Sequence, residues 1–298
     1  MIEVRQLTKK FGHLEVLKSL ELNVGKGSIY GLVGSNGAGK TTLLKLLAGI
    51  YRSDGGTIRI DGQPVFENTR VKETTVFIPD ELFYFSQYSI RDMADFFAQT
   101  YPTWDEARFK ELAQVFGIDE KRRVTKLSKG MKRQVSFWLA LAIKPQVLIL
   151  DEPLDGLDPM IRSRVKKLLL ADVAEREMSI LISSHNLREL EDLCDCMGIL
   201  HDGRLIIESE LDALKQGINK VQTAFIGEPP QELLQGDNIL YQEKRGSVYL
   251  LIMRGEEQQL KAQMQQYQPL LLDILPLTFE EIFVYEMGGV GYDISNIL

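Results

Sequence analysis

Residues 34–42 read Gly-Ser-Asn-Gly-Ala-Gly-Lys-Thr-Thr. Gly34, Gly39, Lys40 and Thr41 fill the fixed places of the phosphate-binding pattern G-x-x-x-x-G-K-[ST]. The amides along Gly34, Ser35, Asn36, Gly37, Ala38 and Gly39 would converge on the open end of a helix. Unsatisfied N–H groups and the helix dipole hold an anionic polyphosphate there. Lys40 would reach the β- and γ-phosphates, while Thr41, followed by Thr42, would set its hydroxyl on Mg²⁺. A second pair of reactive groups, Asp151 and Glu152, ends the apolar run Gln146–Leu150. Strand alternation places these carboxylates on opposite faces. Asp151 is expected to hold Mg²⁺, and Glu152 to orient or deprotonate an attacking water. His185 follows the run Ser179–Ser184. It projects from a strand end, where ligands gather in parallel sheets, and can donate a hydrogen bond to a γ-phosphate.

The elements that must position these groups are legible in the residue pattern. Residues 28–33 form a short apolar, β-rich run, and Thr41–Ala48 follows with helical spacing, so a strand feeds the glycine turn and a helix leaves it. Residues 2–27 alternate as two strands joined near Gly12-His13, with a third at Thr57–Ile60, forming an antiparallel flank. Residues 74–79 form another strand, and the pattern turns helical from Glu81 to about Lys144. Gln146–Leu150 and Ser179–Ser183 read as buried parallel strands joined by a crossover helix over 159–177. Asn186, with Glu189 three residues on, caps the helix behind His185. A hairpin over 197–208 turns at Asp202-Gly203.

After Gln216-Gly217 the composition shifts: residues 218–298 hold ten glutamines and a net charge of −6, from five Lys/Arg and eleven Asp/Glu. The expectation is a domain over 1–217, with a helical subdomain about 81–144, and a small α+β accessory domain over 218–298. The latter reads as strands over 220–226, 239–243, 247–253 and 270–275 and a helix over 256–267. A further helix from Leu277 would carry a Thr278/Glu281 capping box and end at Gly288-Gly289.

Between the helical segment and Asp151 lies Leu127-Ser128-Lys129-Gly130-Met131. The ordered set GSNGAGKTT, LSKGM, LILDEP, LDGLD and His185 resembles the ATP-binding subunit of ABC transporters, over residues 1 to about 215. The resemblance implies an α/β fold. Its core is a P-loop NTPase of ABC ATPase type, with an antiparallel β flank and a helical subdomain, followed here by the small α+β domain. It implies an ATP hydrolase using ATP and Mg²⁺, with Lys40, Glu152 and His185 as catalytic groups. Two such subunits, alike or different, sandwich two ATP molecules, so Ser128 and the Gly130 amide would touch the γ-phosphate held by the facing copy. Asp158 would communicate across that interface, and Phe11 would stack on adenine. The partner powered by the cycle is a separate membrane-spanning subunit, which places the protein on the cytoplasmic face of the membrane.

The sequence departs from the family pattern in two places. Lys129 stands where the signature LSGGQ has its second glycine, and Met131 replaces its glutamine. Asp80 stands where the family places a glutamine that bridges Mg²⁺, water and the membrane-partner contact. Asp80 can ligand Mg²⁺, but it lacks an amide donor and adds negative charge beside the triphosphate. The segment Leu277–Phe283 resembles the closing segment of drug- and antibiotic-export ATPases. Phe83, Tyr84, Phe85, Tyr88, Phe96, Phe97, Tyr101 and Trp104 crowd one stretch. Most are expected in the core, with a few exposed as a docking groove for a partner's helix.

Bulk properties narrow the class. The 298 residues are 44% hydrophobic and 26% charged, as in a folded protein of one large or two smaller domains. No apolar run reaches the roughly 18 residues of a membrane span, since Val135–Ile143 stops at Lys144-Pro145. The N-terminus begins directly as a strand-like alternation, unlike a signal peptide. Cys194 and Cys196 lack the further ligands a zinc site needs and read as inert thiols in a reducing compartment. Net charge is −7, which offers no basic face for direct nucleic-acid binding; the basic cluster over 121–133 is short and interleaved with apolar residues. Two other readings stay open at this point. One is a soluble ABC-type ATPase associated with nucleic acid or ribosomes. The other is a nucleotide-gated regulatory module with little hydrolysis.

Overall fold

Three sheets organise the chain in a computed structural model that describes residues 1–298 except 212–216, 279–280, 283–284 and 286–298. The chain divides into two compact units, Met1–Glu208 and Ser209–Leu298. The division falls within the strand Arg204–Glu210, nine residues before the expected boundary at Gly217.

In the first unit, β1 (Ile2–Phe11) and β2 (Leu14–Val24) form an antiparallel hairpin, and β4 (Gly55–Ile60) pairs with the other edge of β1. With β5 (Gln63–Pro64) they give the flank order β2-β1-β4-β5. The six-stranded sheet is built on β3 (Ile29–Val33), β6 (Thr75–Ile78), β7 (Val147–Asp151), β8 (Ser179–Ser184), β9 (Cys196–His201) and β10 (Arg204–Glu210). Its order is β10-β9-β3-β8-β7-β6, with β9, β3, β8, β7 and β6 parallel. All five residues of β3 and of β7 and all six of β8 are buried, which explains why these strands read as continuous apolar runs without alternation. The expected crossover helix is α6 (Pro159–Arg176), between β7 and β8; it opens on Asp158, whose carboxylate accepts from the amides of Met160 and Ile161.

Helices α1 (Lys40–Leu47) and α2 (Thr69–Thr74) precede β6. The helical segment is α3 (Ile90–Thr100), α4 (Glu106–Phe116) and α5 (Lys129–Ala142). Ser89 and Asp92 form a capping box on α3, and Asp105 caps α4. Trp138 on α5 is fully buried, stacks on Phe109 at 4.7 Å between centroids, and donates its indole N–H to the Phe109 carbonyl at 2.8 Å. The expectation that most aromatics of residues 83–104 are core does not hold. Phe83 is 80% exposed, Phe85, Tyr88 and Phe96 are exposed, and the other four are half-buried. The backbone over 81–88 is irregular, so Phe83, Phe85 and Tyr88 pack edge to face or tilted on one another and on Phe96 of α3 instead of forming a buried helix stripe.

The second unit contains an antiparallel sheet of order β12-β13-β11-β14, from β11 (Ile218–Ala224), β12 (Ile239–Arg245), β13 (Val248–Arg254) and β14 (Leu271–Pro276). Tyr249, Leu251 and Met253 of β13 face Leu260 and Met264 of the helix Glu257–Gln265, while Ile252 packs on the other side with Leu277 and Ile282. Period-two alternation thus gives this sheet two apolar faces. The short helix Gln231–Leu234 carries no periodic signal and was not anticipated. The Thr278/Glu281 capping box is formed, but the rest of that expected helix, including Gly288-Gly289, lies outside the described residues. Replacing Trp138 with Ala is expected to lower the unfolding free energy by about 3–5 kcal/mol, measured by denaturant titration of the whole chain.

Candidate functional site

The phosphate loop leaves β3 and closes on α1 by steric necessity. A Cβ on Gly34 would lie 2.3 Å from the Leu200 carbonyl oxygen, so no other residue fits between β3 and β9. Gly39 caps α1 at φ 110°, a backbone conformation closed to side-chain-bearing residues, and a Cβ there would meet Leu17 at 2.9 Å. The buried Ala38 anchors the loop, its N–H donating to Ser35 at 3.1 Å and its carbonyl accepting from Gly203 at 3.1 Å. The hairpin turn after β9 therefore braces the loop.

A cavity of about 250 Å³ opens on this loop, lined by Val16, Ser35, Asn36, Gly37, Gly39, Lys40, Thr41, Thr42, Asp80 and Glu152. Lys40 is buried, and its ammonium donates to the Gly34 carbonyl at 2.6 Å and lies 3.5 Å from Glu152 Oε1. Glu152 Oε2 accepts from the His185 N–H at 3.2 Å and lies 2.9 Å from His185 Nδ1. One carboxylate thus spans the phosphate-loop lysine and the strand-end histidine. His185 is exposed, with the half-buried Asn186 capping the helix Leu187–Glu191 behind it.

The geometry of the carboxylate pair differs from simple alternation. β7 ends at Asp151, and Glu152 adopts φ 44°, so a left-handed turn, not the pleat, aims its side chain at Lys40 and His185. Asp151 is 1% exposed and does not line the cavity; its carboxylate accepts from Ser183 Oγ at 2.7 Å. The same Ser183 oxygen accepts from the Glu152 N–H at 3.1 Å. Ser183 therefore joins Asp151 to Glu152, a contact that the sequence pattern does not mark. Its signal is its register, opposite Asp151 on the neighbouring strand, which only the sheet pairing reveals. Asp155 was missed as well: with Glu152 and His185 it forms a trio whose ligand atoms lie within 4.8 Å of one another. Hard oxygen donors, the Thr41 hydroxyl and the carboxylates of Asp80 and Asp151, are the chemistry that suits Mg²⁺ at the phosphate loop.

The remaining expected residues sit apart from this cavity. Phe11 is 45% exposed, packs edge-on against Tyr51 at 5.5 Å, and is not part of the cavity wall. Ser128 caps α5, its Oγ accepting from the Met131 N–H at 3.2 Å. Lys129 opens that helix without a left-handed backbone, so its side chain costs nothing conformationally. A Cβ on Gly130 would lie 2.9 Å from the Gly156 carbonyl, so the turn bearing Ser128 and Gly130 touches the loop leading to Asp158. Burial pushes the Cys194 thiol upward, in keeping with an inert group.

The family model described as ABC transporter matches residues 17–155. The ABC transporter ATP-binding protein YtrB of Bacillus subtilis (strain 168) is 35% identical over 289 residues, covering 97% of this chain and 99% of YtrB. The chain belongs to the ABC transporter ATP-binding proteins. The bacitracin transport ATP-binding protein BcrA of Bacillus licheniformis is 34% identical over 219 residues, 72% of each chain. A solved ATP-binding subunit of an ABC transporter superposes with a TM-score of 0.67 at 27% identity, over 72% of this chain and 92% of that one. The fold is thus that of the ABC ATPases, and this ABC ATPase is an ATP hydrolase of the transport type. Removing the Ser183 hydroxyl (Ser183→Ala) is expected to lower kcat for ATP about 10- to 100-fold by loosening Asp151 and Glu152. ATP affinity, measured by equilibrium binding, should change far less.

Proposed function

We propose that this subunit binds ATP with Mg²⁺ in the phosphate-loop cavity, dimerises around it, and drives export by a separate membrane-spanning partner. The observation that carries the reading is Glu152, held between Lys40 and His185 at the mouth of the cavity. In this reading the loop amides and Lys40 bind the β- and γ-phosphates and offset their charge. Mg²⁺ would be held by Thr41 and Asp80, which line the cavity, with Asp151 reaching it through water, and would supply charge neutralisation at the transferring phosphoryl group. Glu152 orients the attacking water and accepts its proton, while Ser183 keeps Asp151 and Glu152 in fixed relation. His185 donates a hydrogen bond toward the γ-phosphate from the rim.

The dimer follows from what one chain leaves apart. Ser128, Gly130 and Asp158 line no part of the cavity that holds Lys40, which leaves them available to the nucleotide of a facing copy. Phe11 is proposed to stack on adenine. Phe11 is 45% exposed, with Lys9 over its ring as a cation beside the proposed nucleotide. The membrane partner is proposed to dock on an apolar groove of about 160 Å³ whose walls include Phe77, Leu82, Phe83, Tyr84, Phe97 and Tyr101. Phe83 stands out from it at 80% exposure, as an anchor for a partner helix would. Among the described residues no helix is long and apolar enough to cross a membrane, so the moving path belongs to the partner. Docking on its cytoplasmic side is where ATP is supplied. Similarity to BcrA favours export of an antibiotic-like cargo.

Glu152→Gln removes the proton acceptor while keeping the shape of the site. It should abolish turnover and accumulate an ATP-dependent dimer on size-exclusion chromatography. A variant that stays monomeric with saturating ATP would sink the sandwich.

A further inference from the structure

We propose that Arg133 is a positioning residue of the nucleotide site: paired with Asp80, it keeps the lip of the phosphate cavity neutral and ties that lip to the helix bearing Ser128 and Gly130. The proposal rests on reading the cavity as the ATP site.

Arg133 lies on α5 and is 1% exposed. A guanidinium removed from water is costly unless oxygens surround it. Here Nη1 donates to the Pro79 carbonyl at 2.9 Å, and Nη2 donates to the Asp80 carbonyl at 3.0 Å and to Asp80 Oδ1 at 2.9 Å. Both nitrogens are thus spent on the two residues that follow β6. Nε is buried without a partner, so the position is not one that stability alone would select. A planar fork is needed to reach three oxygens in this arrangement, which a lysine cannot reproduce fully.

Asp80 faces the other way as well. Its side chain is 51% exposed and lines the cavity with Lys40, Thr41 and Glu152. An uncompensated carboxylate there would repel a triphosphate, whose own negative charge is several times larger. Such repulsion lowers affinity by several-fold or more even at a water-like dielectric. Arg133 cancels it at the source. The loop has a second tie to the same helix, since the Tyr84 hydroxyl donates to the Lys132 carbonyl at 2.7 Å. Residues 79–84 and the first turns of α5 are therefore joined, and the joint ends at the turn of Ser128 and Gly130.

The test is equilibrium binding of a fluorescent ATP analogue to the full chain in EDTA, which removes any metal contribution of Asp80. Asp80→Asn should tighten binding about threefold, because the buried cation then faces the triphosphate unopposed. Arg133→Gln should weaken binding about tenfold, and the Asp80→Asn/Arg133→Gln pair should return to within about twofold of the wild type. Arg133→Lys keeps the charge and should lose less than about threefold. Equal weakening by Arg133→Gln with Asp80 or Asn at position 80 would reduce Arg133 to a structural prop and overturn the proposal. Weakening by Asp80→Asn alone would also overturn it, and that exposed, isosteric change decides the matter even if Arg133→Gln fails to fold. If the wild type binds no analogue, the ATP-site reading falls first; if it binds and the cycle is additive, only the role of Arg133 falls.

Discussion

The parallel register of three strands is the constraint on which the site depends. Val33 lies opposite Ser184, and Asp151 lies opposite Ser183, so the carboxyl ends of β3, β8 and β7 finish at one level. Each strand then hands over a different chemical group at that level: the phosphate loop, His185, and the Asp151-Glu152 pair. Slipping any one strand by a residue would invert its side chains and separate these groups. Complete burial on both faces makes such slips costly, since each would force side chains of the wrong shape into a close-packed interior or bury an unpaired polar group.

Within that frame, local backbone strain does the final aiming. Glu152 occupies the left-handed region, which costs a residue with a side chain of order 1 kcal/mol or more. The conformation persists because three contacts hold it: the Ser183 oxygen accepts its N–H, and its carboxylate lies against Lys40 and His185. Gly39 performs the matching task on the loop side, where the chain must turn without a Cβ against Leu17. The geometry around Glu152 is thus set by packing and hydrogen bonds within the chain.

The helical segment is joined to this centre by polar contacts as well as by the apolar packing of α5 near β6. Arg133 and Tyr84 connect α5 to the loop after β6, and that loop also borders the phosphate cavity and the aromatic groove. Asp80, which looks in isolation like a misplaced anion, is paired there with Arg133.

The sequence by itself determined the reactive groups and the order of the elements. The glycine pattern of residues 34–41, the carboxylates after an apolar strand, and the histidine after another are local signals, each written in contiguous residues. The antiparallel flank and the accessory sheet were legible for the same reason, because alternation and turn residues report on neighbours in the chain. What only the tertiary structure decided is everything set by contacts across distant segments. Ser183 matters because it faces Asp151 across a strand pair, Asp155 because a tight turn brings it to Glu152 and His185, and Arg133 because α5 packs over Asp80. The aromatics of residues 83–104 reached the surface for a similar reason, since periodicity cannot tell a helical stripe from an irregular loop whose rings pack on one another. Residue type fixes which chemistry is possible. Register and packing fix which atoms meet.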